Sequence, residues 1–176
     1  MTVEYAEIYS VEEALDFILE KLVEEGRRSG LRASKGGILQ GIGFHMDTPY
    51  LLAEGLLKRG IIFRVKDKYA LTETGEKLVD YVVRTTILIK PYSLFPELDS
   101  GKLLGAVLYA FYDWTNTKSA EEILAVAEKT YRLIQEIKSR SIEAFKLIAV
   151  TLPRLYFEDG KYTPLTLIEK VASMTG

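Results

Sequence analysis

Residues 47–81, DTPYLLAEGLLKRGIIFRVKDKYALTETGEKLVDY, change periodicity twice, from helical to strand-like and back to helical. Asp47-Thr48-Pro49 opens the first helix: a side-chain acceptor caps bare N–H groups, and Pro49 lacks an N–H that the first turn leaves unpaired anyway. Leu52, Ala53, Leu56 and Leu57 recur at helical spacing, so one face can be buried. Gly60 closes the helix, because a positive φ costs glycine nothing. Residues 61–65, IIFRV, are rich in β-branched and aromatic side chains, Lys66-Asp67-Lys68 is a short polar turn, and residues 69–72 return as a second strand. Thr72 then starts another helix, with Glu73 and Glu76 near its positive end and Leu78, Val79, Val82 and Val83 available for a core.

Leu57-Lys58-Arg59-Gly60-Ile61-Ile62 followed by Tyr69-Ala70-Leu71-Thr72-Glu73-Thr74-Gly75 resembles the end of the recognition helix and the wing of many prokaryotic winged helix-turn-helix proteins. There the pattern runs roughly Leu-x-x-x-Gly-Leu/Ile-Ile and then Tyr-x-Leu-Thr-x-x-Gly. The match covers about a fifth of the chain. It implies a mainly α fold with a short β-hairpin wing. Most members of that superfamily bind DNA, often as dimers, and a substantial minority use the same fold to bind protein.

At 176 residues and 48% hydrophobic, the chain is long enough for one ample core or two small ones. The longest uncharged apolar run, residues 103–112, is about half of the roughly 20 residues a membrane span needs. The first residues carry no basic-then-apolar leader, so a cytoplasmic protein without a membrane partner is expected. Cysteine is absent and His45 is the only histidine, which excludes thiol catalysis, disulfides and any ordinary zinc site. No metal or cofactor is expected. Asn116 is the only asparagine, and Gln40 and Gln135 the only glutamines; scarce thermolabile residues beside abundant Glu, Lys and Arg point to a thermophile.

The net charge of −2 conceals a dipole. Residues 1–26 hold eight acidic side chains and one basic, residues 27–90 hold 12 basic and 6 acidic, and residues 91–176 are nearly balanced. The positive excess lies in the segment with the expected recognition helix and wing.

Residues 2–9 read as a short strand or an arm. Ser10 and Glu13 form a capping-box pattern that starts a helix, striped by Val11, Ala14, Leu15, Ile18 and Leu22 and stopped at Gly26. Residues 27–37 read as a mobile loop whose Arg27, Arg28, Arg32 and Lys35 either follow a phosphate chain or answer the acidic first helix. Gly36, Gly37, Gly41 and Gly43 make neither a P-loop, for want of a following Gly-Lys-Ser/Thr, nor a dinucleotide fingerprint. Residues 38–45 form a short second helix, with His45 in a capping or packing role. On the recognition helix Thr48, Tyr50, Leu51, Glu54 and Lys58 face outward, which leaves little of the Arg, Lys, Asn or Gln that forks onto base edges. Arg64, Lys66 and Lys68 on the wing suit sequence-independent phosphate contacts.

The helix from Thr72 continues past Tyr81, and Pro91 and Pro96 mark a boundary, dividing the chain into a winged-helix unit, residues 1–90, and a helical unit, residues 91–176. Residues 103–114 are apolar nearly all round and belong either to a buried helix or to a dimer interface. Ser119 with Glu122 caps a helix striped by Ile123, Ala127, Tyr131 and Ile134 that reaches about Lys138. Ser141 starts another, with Phe145, Ile148 and Leu152 inward and a stop at Pro153. Asp159-Gly160 is a strong signal for a hairpin near residues 154–163, and a last helix begins at Pro164. This order echoes the first half, so the second is either a degenerate second winged helix or a helical dimerisation or docking domain.

No constellation reads as an active site, and an enzyme is not expected. His45 has no nucleophile motif beside it, and the adjacent carboxylates Glu12-Glu13, Glu24-Glu25 and Glu121-Glu122 do not face one another across a substrate. Two functions follow. One is a homodimeric DNA-binding regulator of transcription that holds phosphates with Lys58, Arg64, Lys66 and Lys68, places Thr48 and Tyr50 at the groove, and extends the contact through Arg27, Arg28, Arg32 and Lys35. The other is a module that docks onto protein within a larger complex.

Overall fold

The computed structural model describes residues 3–43, 48–93, 100–112, 118–152 and 164–175. They form eight α-helices and one two-stranded antiparallel sheet: α1 (Val3–Arg28), α2 (Lys35–Ile42), α3 (Thr48–Lys58), β1 (Ile62–Val65), β2 (Lys68–Leu71), α4 (Glu73–Ile89), α5 (Gly101–Phe111), α6 (Ala120–Arg140), α7 (Ile142–Thr151) and α8 (Pro164–Thr175). A 3₁₀ turn, Lys90–Tyr92, follows α4 with its proline in the first turn.

The N-terminal arm is not a strand. Helix α1 begins at Val3, and the Ser10/Glu13 pattern lies inside it, because no Gly or Pro between Val3 and Arg28 interrupts the helix before Gly26. The stop also lies later than Gly26. Gly30, at φ 89°, takes the left-handed conformation, while Leu31 N–H donates back to the Gly26 carbonyl at 2.8 Å. Gly26 is instead buried in the helix, where a β-carbon would sit 3.1 Å from Leu104 of α5.

Residues 27–37 are not one mobile loop: Arg27 and Arg28 end α1, and Ser34, whose hydroxyl accepts from Gly37 N–H, caps α2. Gly43, at φ 104°, ends α2 before residue 45. The main partner of α2 is α5. Their backbones approach so closely that a β-carbon on Gly41 would collide with the Lys102 carbonyl, and one on Gly105 with the Ile38 carbonyl. The glycines are the reason the two helices can meet at all.

Helix α3 buries Leu52, Ala53 and Leu56 and packs chiefly against α1. Gly60, at φ 79°, turns the chain into the hairpin, which pairs Ile62 with Leu71, Phe63 with Ala70, Arg64 with Tyr69 and Val65 with Lys68. The turn is therefore two residues, Lys66 and Asp67.

Thr72 joins the parts. Its hydroxyl donates to the Gly60 carbonyl at 2.6 Å and reaches the Ile61 carbonyl at 3.2 Å, while accepting from Gly75 N–H at 3.0 Å as the N-cap of α4. Thr72 N–H also donates to the Ile61 carbonyl. A β-carbon on Gly75 would collide with that carbonyl, so the Thr-x-x-Gly spacing is required by the approach of α4 to the strand entry.

Helix α4 runs straight through the β-branched run to Ile89, burying Leu78, Val79, Val82, Val83 and Ile89, and packs on α6. The expected capping box is present: Ser119 Oγ accepts from Glu122 N–H, and the Glu122 carboxylate accepts from Ser119 N–H. Ser141 caps α7 through Ala144 N–H, and Phe145, Ile148 and Leu152 point inward as expected. Of the two roles open to α5, burial within this chain is the one observed: Leu104, Val107, Leu108 and Phe111 are all core. One hydrophobic core runs from Ala14 in α1 to Ala172 in α8. His45, Asp47, Pro96, Trp114 and the hairpin expected near residues 154–163 lie outside the described residues. No helix among the described residues is long and apolar enough to cross a membrane.

Candidate nucleic-acid interface

Strand geometry divides the hairpin into two faces, because successive side chains point to opposite sides. Ile62, Arg64, Tyr69 and Leu71 share the inner one. Ile62 is buried, the Tyr69 ring lies 6.0 Å from Phe17 of α1, and the Arg64 guanidinium stands 5.8 Å over the Tyr69 ring. That contact restrains an otherwise long and mobile cation. Phe63, Val65, Lys68 and Ala70 share the other face, where Phe63 is 42% and Val65 55% exposed. Lys66 and Lys68 are exposed at the tip, and neither meets an acidic side chain among the described residues.

The recognition-helix candidate α3 presents Tyr50, 43% exposed, and Leu51, 53% exposed, in its first turn. Thr48 is its first residue. Lys58, at the other end, is tied to Glu54 at 2.6 Å on the same helix. A second flank of α3 is closed by Tyr112, the residue that follows α5: it seats its hydroxyl on Gly55, where a β-carbon would collide with it, and Arg59 stacks 4.6 Å from its ring.

The cations of residues 27–35 have other engagements. Arg28 pairs with Glu25 at 2.9 Å, and Arg27 donates to the Ala33 carbonyl at 3.4 Å. Lys35 is held by Asp16 at 2.8 Å and Glu20 at 3.0 Å on α1, and these hydrogen bonds, Asp16 first, raise its ammonium above the ordinary lysine value. Arg32 is exposed in the connecting loop, whose carbonyl accepts from Ser100 N–H. The acidic first helix thus answers two of these four cations directly, while Lys66 and Lys68 remain turned to solvent.

No family model, curated protein or solved structure matches this chain. The arrangement of its own side chains is therefore what supports a function.

The features that composition and motif reasoning missed are the outward Phe63 and Val65 and the Arg59–Tyr112 stack. The first was recoverable from strand alternation, since burying Ile62 turns Phe63 and Val65 outward together. The second joins residues 53 positions apart, and no local pattern signals it.

Proposed function

We propose that this chain is a winged-helix protein that binds duplex DNA and regulates transcription, contacting the duplex through α3 and the β1–β2 hairpin. The observation that carries this reading is the pair Lys66 and Lys68, exposed at the hairpin tip without an acidic partner among the described residues. Arg64 and Arg32 add two further exposed cations, and Thr48, Tyr50 and Lys58 lie along α3. The same reading takes the protein as a cytoplasmic homodimer joined through its second half, where Ile142 and Leu147 of α7 and Met174 of α8 are exposed.

Salt dependence tests it. Neutralising about four phosphates gives a log–log slope near −3.6, so affinity for a random duplex falls about 150-fold between 50 and 200 mM salt. The double variant Lys66→Gln/Lys68→Gln removes two of those contacts and flattens the slope to about −1.8. Absence of binding at 50 mM salt refutes the reading.

A second reading is favoured by one observation: the outward turn of α3 is apolar, with Tyr50 and Leu51, and its only cation, Lys58, is neutralised by Glu54. A helix face of that kind suits a protein partner within a larger complex. Tyr50→Ser/Leu51→Ser separates the two, leaving the salt slope on DNA intact while abolishing a docking surface.

A further inference from the structure

The outer face of the hairpin has a composition that phosphate binding alone does not require. Phe63 and Val65 alternate on β1 with the inward Ile62 and Arg64, so they stand together on the solvent side, and both remain about half exposed. A hairpin with open edges is a place where exposed apolar side chains invite association, and polar or charged residues are the usual choice there. The cations are interleaved with them: Lys68 is the cross-strand partner of Val65, and Lys66 follows Val65 in the turn. An aromatic ring with two ammonium groups beyond it toward the hairpin tip, neither meeting an acidic side chain among the described residues, fits a ligand that offers a π-face beside regularly spaced phosphates.

Resting on the DNA reading above, we infer that the hairpin is a wedge, which places Phe63 against a base at a step that is already opened or costs little to unstack, while Lys66 and Lys68 hold the flanking phosphates. Apolar side chains inserted at base steps partly unstack them, so the energy depends on how deformable the step is. The preferred DNA is therefore a duplex with a bulge, mismatch or flexible pyrimidine–purine step, recognised by deformability and not by base-edge hydrogen bonds. The opposite face, fixed by Ile62 and by Tyr69 against Phe17, supplies the rigid backing a wedge needs.

The test uses the full chain and fluorescence anisotropy at 50 mM salt with three labelled duplexes of equal length: a stiff A-tract, the same length with central TA steps, and one with a single-nucleotide bulge. The bulged duplex binds about fivefold or more tighter than the A-tract, with the TA duplex between them, since base–aromatic stacking accounts for at least that factor. Phe63→Ala, a surface change, levels the three affinities without altering the salt slope. Phe63→Trp restores the preference, and the added indole emission is quenched on the bulged duplex. Equal binding of the three duplexes by the wild type, or a preference that survives Phe63→Ala, overturns the wedge and leaves the DNA reading standing. Failure to bind any of the three overturns both.

Discussion

Replacing Thr72 with Val exchanges a hydroxyl for a methyl of nearly the same size, so the change is chemical and not steric. Two interactions go: the donation to the Gly60 carbonyl at 2.6 Å and the cap on Gly75 N–H at 3.0 Å. An N-cap is worth about 1 kcal/mol, and a neutral hydrogen bond to a carbonyl about as much again. Thr72→Val therefore lowers stability by about 2 kcal/mol, which for a chain of this length is a fall of roughly 4–8 °C in Tm. Urea denaturation followed by far-UV circular dichroism reads this as a lower midpoint at unchanged slope. Thr72→Ser keeps both hydrogen bonds and stays within about 1 kcal/mol of the wild type. A loss below about 0.5 kcal/mol for Thr72→Val, or an equal loss for both variants, refutes the role given to the hydroxyl. Because Thr72 links the end of α3 to the hairpin and to α4, the Val variant also loosens the two elements assigned to DNA.

Four further outcomes follow from packing, charge and composition. Gly105→Ala drives a β-carbon into the Ile38 carbonyl and costs about 2 kcal/mol or more, whereas Gly36→Ala, in open space on α2, gains up to about 1 kcal/mol; paired urea titrations compare them. A fragment ending at Ser93 lacks α5, the principal partner of α2, and shows no cooperative thermal transition by circular dichroism, in contrast to the full chain. Lys35 bonded to Asp16 and Glu20 has a folded pKa above the ordinary 10.5, so its contribution is complete below that pH and disappears as pH rises through the folded value. The stability gap between wild type and Lys35→Met, small because the group is solvent-exposed, should accordingly close only in strongly alkaline urea titrations. The scarcity of Asn and Gln predicts a calorimetric midpoint above about 65 °C, and one near 50 °C contradicts a thermophilic origin.

What could be read from the sequence was what local geometry dictates. Gly60 and Thr72 each act on their own turn of chain, so the end of α3 and the start of α4 were legible, whereas the close approach of Gly75 to the Ile61 carbonyl joins residues 14 apart and was not. Ser119 with Glu122 was legible as well, since their reciprocal hydrogen bonds span three residues. Ser10 with Glu13 has an identical pattern but lies inside α1, because a capping box is informative only where something else ends the helix. Gly26 was the stop the sequence suggested, yet α1 runs on to Arg28 and Gly30 takes the left-handed turn. What Gly26 does instead is admit Leu104, which packs there from 78 residues away, a contact no local pattern signals. Gly41 and Gly105 were likewise legible only as weak helix formers, since their purpose is the contact between α2 and α5. The candidate site divides in the same way: Lys66 and Lys68 follow from the turn, whereas the neutralisation of Lys35 by Asp16 and Glu20 needs the packing of α1 beside α2.

The most direct test of the DNA-binding account is a titration of the ¹⁵N-labelled full chain with a short duplex at 50 mM salt, followed by amide chemical shifts. The account predicts progressive shifts in the hairpin, residues 62–71, and in the first turns of α3, with α6, α7 and α8 unmoved except by dimerisation already present without DNA. Unchanged spectra, or shifts confined to α6–α8, contradict it.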